Sequence, residues 1–254
     1  MQALFESFAV PNAFVIAPQI LELYASGKED GVLLGVGHTS TYAVLLHEGL
    51  PDPRTMVRSS IAGKELDMHV QKLLHGTAEL TEESARHVKE ALGHVAPAPG
   101  QETGIVAQDF KLPDGKMLHV SAAQRAAFVE PLFTPERAES GLAHLVSSCI
   151  KLRDRDGALE STVHGKDGTS NWYKSIVLAG GSTLFAGMKE RLASDLTVYA
   201  PGGTDVEVWE PDERGYAAWF GGSVLASLSI MPQMWISKQE YDENGPLIVH
   251  RKTF

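Results

Sequence analysis

Short apolar runs alternate along the chain with segments in which apolar residues recur at helical spacing. The runs, each followed by glycine or polar residues, predict buried strands over 31–35, 41–47, 175–179 and 206–209. Helical spacing predicts helices over 18–25, 67–74, 82–93, 142–152 and 185–196, and an apolar helix that ends near Ser229. Mixed strands and helices with glycine turns between them indicate an α/β fold.

Turn-forming residues mark the connections. Pro18 fits only the first turn of its helix, because a proline in a helix interior costs about 3 kcal/mol. Residues 37–40 predict the turn of one hairpin, and the turn at 113–115 predicts a second hairpin over Phe110–Val120. We interpret 96–100 as a hinge and the polar segment Asp156–Asn171 as an exposed loop.

Composition narrows the function classes. The chain has 254 residues and a formal net charge of -10, so its surface repels phosphate backbones and nucleic acid is not an expected partner. The apolar stretches are shorter or more interrupted than the about 20 residues that span a bilayer, so we expect no membrane insertion. Cys149 is the one cysteine, which excludes an intrachain disulfide and favours a reducing compartment. We expect it to be buried and inert.

Several long segments resemble the actin family in order along the chain. They are Phe5–Pro11, Leu23–Gly27, Ala62–Leu66, Gly180–Gly187, Trp219–Leu228, Gln233–Glu243 and Gly245–Phe254. The resemblance implies the actin or sugar-kinase (ribonuclease H-like) fold, two similar α/β lobes around a nucleotide cleft. Such ordered matches over most of the chain are far more specific than a single glycine motif.

The resemblance also implies a domain division. It assigns 1–26 and 217–254 to a partial base subdomain of the outer lobe, 27–61 and 147–216 to the base of the inner lobe, and 62–146 to its upper subdomain. The first third of the family's sequence has no counterpart here. The inner lobe is therefore expected to be complete and the outer lobe partial, without the first phosphate-binding hairpin and the loop that contacts a filament neighbour.

The residues that the family uses for hydrolysis are replaced. Gly35 to Thr39 align with an acid-containing hairpin, and both acids are missing; His38 is a poor substitute as a magnesium ligand. Pro18 aligns with the glutamine that positions the attacking water, and Tyr42 with a helper histidine. The resemblance therefore implies little or no ATP hydrolysis and no magnesium held as in actin.

The purine side of the cleft is better preserved. The residues that match it are Gly63, Lys89, Glu90, Gly181, Ser182, Leu184 and Phe185. The lysine that closes over the adenine is replaced by Gly215. The resemblance implies that ATP or ADP is held weakly or not at all. Two plainer interpretations stay open: the glycine pairs 180–181 and 221–222 permit close packing, and Lys89 with Glu90 belongs to a solvated helix face.

A groove that the family uses for partners is also represented. Its residues match Tyr24, Gly27, Leu225, Leu228, Met234 and Trp235. They form either an apolar groove for an amphipathic helix or ordinary core packing. We expect a cytoplasmic, cytoskeletal structural component whose incomplete outer lobe is covered by protein partners or by its own copies. The alternatives are an ATP-binding homologue that forms filaments or acts as a nucleotide switch, and a fragment of a longer gene product.

Overall fold

The computed structural model describes residues 1–135, 140–155 and 171–253. The strands are β1 Asn12–Ala13, β2 Gly31–Val36, β3 Thr41–His47, β4 Leu50–Pro51, β5 Val57–Ser59, β6 Gln108–Lys111, β7 Met117–Val120, β8 Ile176–Ala179, β9 Val208–Trp209 and β10 Ile236–Ser237. The α-helices are α1 Pro18–Ser26, α2 Gly63–Leu74, α3 Glu82–Leu92, α4 Ala122–Ala127, α5 Leu142–Arg155, α6 Met188–Leu196, α7 Ala217–Ser227, α8 Met231–Met234, α9 Lys238–Asn244 and α10 Val249–Lys252. The predicted α/β class is confirmed.

A mixed six-stranded sheet forms the centre of the fold. Its strands follow the order β4-β3-β2-β8-β9, with β5 also paired to β3. β2 and β3 form the predicted antiparallel hairpin, whereas β8 runs parallel to β2 and places Gly35 beside Ala179. The turn after β2 and the glycine loop after β8 therefore lie at the same edge of the sheet.

Both faces of the sheet are buried, which explains why its strands are apolar runs without alternation. Val32 and Leu34 point into the larger core, which also receives α5 and α6. Leu33 packs on the other face with Leu23 of α1 and Ala217 of α7. The sheet thus lies between the larger core, which contains α5 and α6, and the helices α1 and α7 on its other face.

α1 and α7 pack closely because α7 contains a glycine at their contact. A side chain at Gly221 would overlap the backbone carbonyl of Leu21. Pro18 is the first residue of α1, after Ala17 as N-cap, so the predicted first-turn position is confirmed. Gly221 and Gly222 both lie within α7, and the close approach of the two helices requires glycine at position 221.

The two ends of the described chain pack together in a smaller unit. β1 pairs with β10, and the ring of Phe5 stacks on that of Tyr241 at 4.7 Å. Ile236 and Ile248 complete this apolar cluster. The subdomain boundaries implied by the resemblance stay a prediction.

Two helices begin at residues other than those predicted. α2 begins at Gly63 and not at Asp67, and α6 begins at Met188 and not at Phe185. Gly187 precedes α6 in the left-handed conformation, and a side chain there would meet the Val95 carbonyl oxygen at 2.5 Å, so both the backbone and the packing favour glycine. The loop predicted for Asp156–Asn171 lies, apart from its last residue, outside the described residues. Among the described helices, none combines the length and apolar character needed to cross a membrane.

Candidate functional site

A cavity of about 650 Å³ opens at the sheet edge where β2 and β8 end. This volume falls within the range typical of small-molecule sites, about 300–1,000 Å³. Its wall contains all seven residues that the sequence assigned to the nucleotide: Gly63, Lys89, Glu90, Gly181, Ser182, Leu184 and Phe185. It also contains residues that the sequence did not assign: Gly37, His38, Ala91, Gly93, His94, Arg125, Ala186, Gly215 and Tyr216. The structure brings together residues from six separated segments.

The glycine pair after β8 serves two different purposes. Gly180 has a positive φ of 90°, and a side chain there would overlap the Val36 carbonyl. Gly181 lacks a positive φ, and a Cβ atom there would meet no atom within 4 Å. Close packing therefore explains Gly180, whereas the missing side chain of Gly181 adds room to the cavity.

Two apolar side chains shape the wall beside this loop. Phe185 is buried against Gly93, where a Cβ atom would lie 2.6 Å from the ring. Leu184 is half-exposed and lies next to Gly215, whose Cβ would meet it at 3.1 Å. Gly215 therefore leaves the mouth of the cavity open at the position where the family has a lysine.

Lys89 contradicts the interpretation of this part of α3 as a solvated face. Its side chain is buried, and its ammonium lies 2.6 Å from the carboxylate of Asp67 on α2 and donates to the Gly63 carbonyl at 3.0 Å. Glu90, the next residue, is exposed as expected. Burial of a lysine requires a partner of opposite charge, and Asp67 supplies it. No local pattern indicates this pairing, because Asp67 lies 22 positions away on another helix.

Arg125 and His94 are two further polar residues of the cavity wall. Arg125 donates to the carbonyls of Leu92 at 2.8 Å and Val106 at 2.6 Å. Burial, with a contribution from the charge of Arg125, lowers the pKa of His94 below its usual range. His94 is therefore a neutral ring at pH 7, and Arg125 contributes a fixed positive charge. Neither residue belongs to a local motif by which the sequence could have indicated it.

The turn between β2 and β3 is tied to the cavity through its backbone. The Gly37 carbonyl accepts hydrogen bonds from the Gly63 N–H and the Ser182 hydroxyl, both at 3.0 Å. A Cβ atom on Gly63 would lie 2.9 Å from the Ser182 oxygen, so this approach requires glycine. Gly63 and Ser182 thus hold the turn against the glycine loop.

The corner assigned to the attacking water contains a different pair of side chains. The Tyr42 ring packs over Gly35, and its hydroxyl donates to the Glu22 carboxylate. Burial is the main cause that raises the pKa of both groups, and Glu22 adds to the effect on Tyr42. Tyr42 is therefore a protonated donor at neutral pH, and Pro18 at the start of α1 carries no polar side-chain group.

The side chains around the cavity do not suit a magnesium ion. Mg²⁺ prefers carboxylate and other oxygen ligands in octahedral geometry. Among the described residues of the cavity wall, Glu90 is the one carboxylate, and no group of three His, Cys, Asp or Glu within the described ranges could hold a metal. Asp67 is buried behind Lys89 and is engaged by it.

The six residues of the predicted partner groove divide between surface and interior. Leu225 of α7 is buried, as core packing requires, whereas Tyr24 of α1 and Leu228 are exposed. Trp235 is half-buried and meets the Phe14 ring edge-on at 6.5 Å. Met234 is also half-buried, and Gly27 ends α1 in the left-handed conformation. Leu225 therefore supports packing, and the use of this surface by a partner stays a prediction.

The single cysteine lies in the core, as predicted. Burial raises the pKa of the Cys149 thiol to about 12, so the thiolate form is scarce at neutral pH. The residue is therefore not a candidate nucleophile.

Comparison with protein families agrees with this geometry. The family model described as Actin matches residues 1–84 and 77–254, two overlapping segments that together extend over the whole sequence. The match includes the β2–β3 hairpin, the glycine loop after β8 and the helices that enclose the cavity. The chain belongs to the actin family.

Proposed function

We propose that this actin-family protein is a cytoplasmic, cytoskeletal structural component of a protein assembly. In this proposal its cavity binds ATP or ADP weakly and does not hydrolyse ATP. The observation that carries the nucleotide part is the convergence of all seven assigned residues on one cavity of about 650 Å³. The open space beside Gly181 adds support. A Cβ atom there would meet no atom within 4 Å, so packing against neighbours does not explain this glycine.

The absence of hydrolysis rests on the substituted corner. ATP hydrolysis needs a positioned water and stabilisation of the charge on the transferred phosphate. Pro18 cannot hydrogen-bond to a water through its side chain, and Tyr42 is engaged with Glu22. Residues 35–39 offer no carboxylate to a hydrated metal ion.

The assembly part rests on an exposed apolar strip, which we define as Trp219, Phe220, Val224, Leu228 and Ile230. Trp219 is 74% exposed, and the other four also lie at the surface. Residues 215–237 contain no charged side chain. Contiguous exposed apolar surface of this kind marks interaction sites. We infer that another protein covers the strip, because copies of this chain each carry a net charge of -10.

Thermal unfolding with and without nucleotide tests the first part. A ligand at 100 times its Kd stabilises by about 2.7 kcal/mol, which for a chain of this size raises the Tm by roughly 5–10 °C. We expect such a rise with ADP or ATP, and its loss in Gly181→Val. Gly202→Val is the matched control, since Gly202 also has open space for a Cβ atom but lies outside the cavity. No shift at millimolar nucleotide would contradict nucleotide binding.

Light scattering on the isolated chain tests the second part. We expect a monomer that leaves the strip open to solvent and therefore binds a hydrophobic dye, with dye binding that falls in Trp219→Ser. A stable 27.5 kDa monomer that binds no dye would count against the assembly role. A closed oligomer of fixed size would assign the strip to a second copy.

A further inference from the structure

A cluster of charged side chains lies beneath the floor of the cavity. The Asp67 carboxylate is fully buried, with its Oδ1 2.6 Å from the Lys89 ammonium. The Arg86 Nε lies 3.7 Å and the His38 Nδ1 3.9 Å from its Oδ2. Lys89 and His38 line the cavity, whereas Asp67 lies behind them. One buried carboxylate therefore holds two permanent cations and one histidine at the site.

The cluster leaves positive charge and donors without protein partners. An ammonium has three N–H donors, and the hydrogen bond to the Gly63 carbonyl accounts for one of those on Lys89, whereas the contact with Asp67 is an ion pair. The Arg86 Nε and both Asp67 carboxylate oxygens are buried, and none of them has a hydrogen-bond partner among the described residues. Lys89 and Arg86 against the one carboxylate of Asp67 give these three side chains a net charge of about +1. A ligand with negative charge satisfies this excess.

The same cluster adjoins the β2–β3 turn. The Gly63 carbonyl accepts from Lys89, and the Gly63 N–H donates to the Gly37 carbonyl at 3.0 Å. The turn itself carries no acid between Gly35 and Thr39. The positively charged Lys89 therefore lies near the β2–β3 turn, where a metal-binding site would need carboxylates.

We propose that the cavity takes a nucleoside phosphate without a divalent cation. In this inference, which rests on the proposed function, the Lys89 ammonium offsets negative charge of the ligand, although the resemblance assigned Lys89 to the purine side. Asp67 is the positioning residue that holds Lys89 in the floor. Because the side chains of the cavity do not suit magnesium, we expect the affinity for the nucleotide to be independent of magnesium.

Calorimetric titration of the full chain with ADP, once in MgCl₂ and once in EDTA, tests the inference. We expect the two Kd values to agree within about twofold. An affinity at least tenfold higher with magnesium, a difference of about 1.4 kcal/mol, would overturn the metal-free mode while leaving nucleotide binding intact. No ADP binding under either condition would overturn the proposed function and this inference with it. Binding of inorganic pyrophosphate in EDTA without binding of ADP would retain the anion site and reject the nucleotide.

The variant Asp67→Asn separates positioning from a purely structural role. It leaves the Lys89 ammonium buried without its counter-ion, so the ammonium moves or loses its charge. We expect ADP binding in EDTA to weaken at least tenfold. Asp109→Asn makes the same chemical change at the surface and should leave binding unchanged. If Asp67→Asn binds ADP as well as or better than the unmodified chain, Asp67 does not position Lys89; if the variant does not fold, the magnesium comparison still decides the proposal.

Discussion

Replacing Arg191 with methionine removes a buried cation that ties α6 to the segment before it. The Arg191 side chain is 2% exposed. It pairs with Asp195 at 2.9 Å and with Glu130 at 3.1 Å, donates to the Ala96 carbonyl at 3.0 Å and lies over the Phe133 ring. These contacts join α6 to two points of the segment 62–146.

The loss of stability in Arg191→Met follows from the contacts that the substitution removes. Methionine keeps much of the volume, so the main loss is electrostatic, and removal of one partner of a buried pair costs about 3–5 kcal/mol. The side chains of Glu130 and Asp195 are 24% and 33% exposed, so water partly restores their solvation and the lower end applies. A loss of about 3 kcal/mol lowers the Tm by roughly 6–12 °C for a chain of this size.

Thermal unfolding followed by circular dichroism measures the effect of Arg191→Met. Lys116→Met is the control, because Lys116 pairs with Asp114 but is 80% exposed, and such surface pairs contribute at most about 1 kcal/mol. Arg191→Lys should recover only part of the loss, since lysine lacks the planar fork that reaches two acids. A Tm of Arg191→Met within about 2 °C of that of the unmodified chain, a loss of less than about 1 kcal/mol, would show that the Arg191 ion pairs do not stabilise the fold.

Three further substitutions or measurements follow from the packing and the charges. Gly221→Ala should lower the free energy of unfolding, measured in urea, by about 1–3 kcal/mol, because the added Cβ atom overlaps the α1 backbone. Gly222→Ala should be neutral or stabilising by about 0.5–1 kcal/mol, since its Cβ meets only a side chain at 3.6 Å; equal effects would contradict the packing. Cys149, with a pKa of about 12, should resist a thiol reagent at pH 8 until the chain unfolds, and rapid native labelling would contradict its burial. Hydrogen bonds from Arg54 lower the pKa of Asp52, so the contribution of Asp52 to stability is present above its unfolded pKa and is lost as the pH falls through its folded pKa. In Asp52→Asn the free energy of unfolding should therefore fall less steeply at acid pH, and an unchanged pH dependence would contradict this.

The sequence predicted the central strands well because both sheet faces are buried. β3 begins and ends where the apolar run from Thr41 to His47 predicted, and β2 extends only one residue further than expected. An apolar run is a local signal that tertiary contacts reinforce. The same locality explains why Pro18 marked the start of α1.

The start of α2 was mispredicted for a tertiary reason. Its N-cap, Ala62, has no side chain that could accept a hydrogen bond. The first N–H groups of the helix, those of Gly63 and Lys64, donate instead to the carbonyls of Gly37 and His38 in the β2–β3 turn. A helix that is capped by another segment carries no capping signal of its own.

The candidate site shows the same division between local and tertiary information. Sequence motifs indicated the glycine loop around Gly181, and the structure adds that a side chain there would meet open space. The helical pattern of α3 placed Lys89 on a polar face, and only the fold brings Asp67 to it. Charge pairs between separate helices depend on helix packing, which residue spacing along one helix does not specify.

Phosphate release from ATP shows whether the cavity binds nucleotide without hydrolysing it. The full chain is incubated with saturating ATP and magnesium, and bound nucleotide and free phosphate are measured from the same sample. We expect bound ATP to be recovered intact and phosphate release to equal that of buffer. Steady release above the buffer rate that disappears in Gly181→Val and persists in Gly202→Val would contradict it.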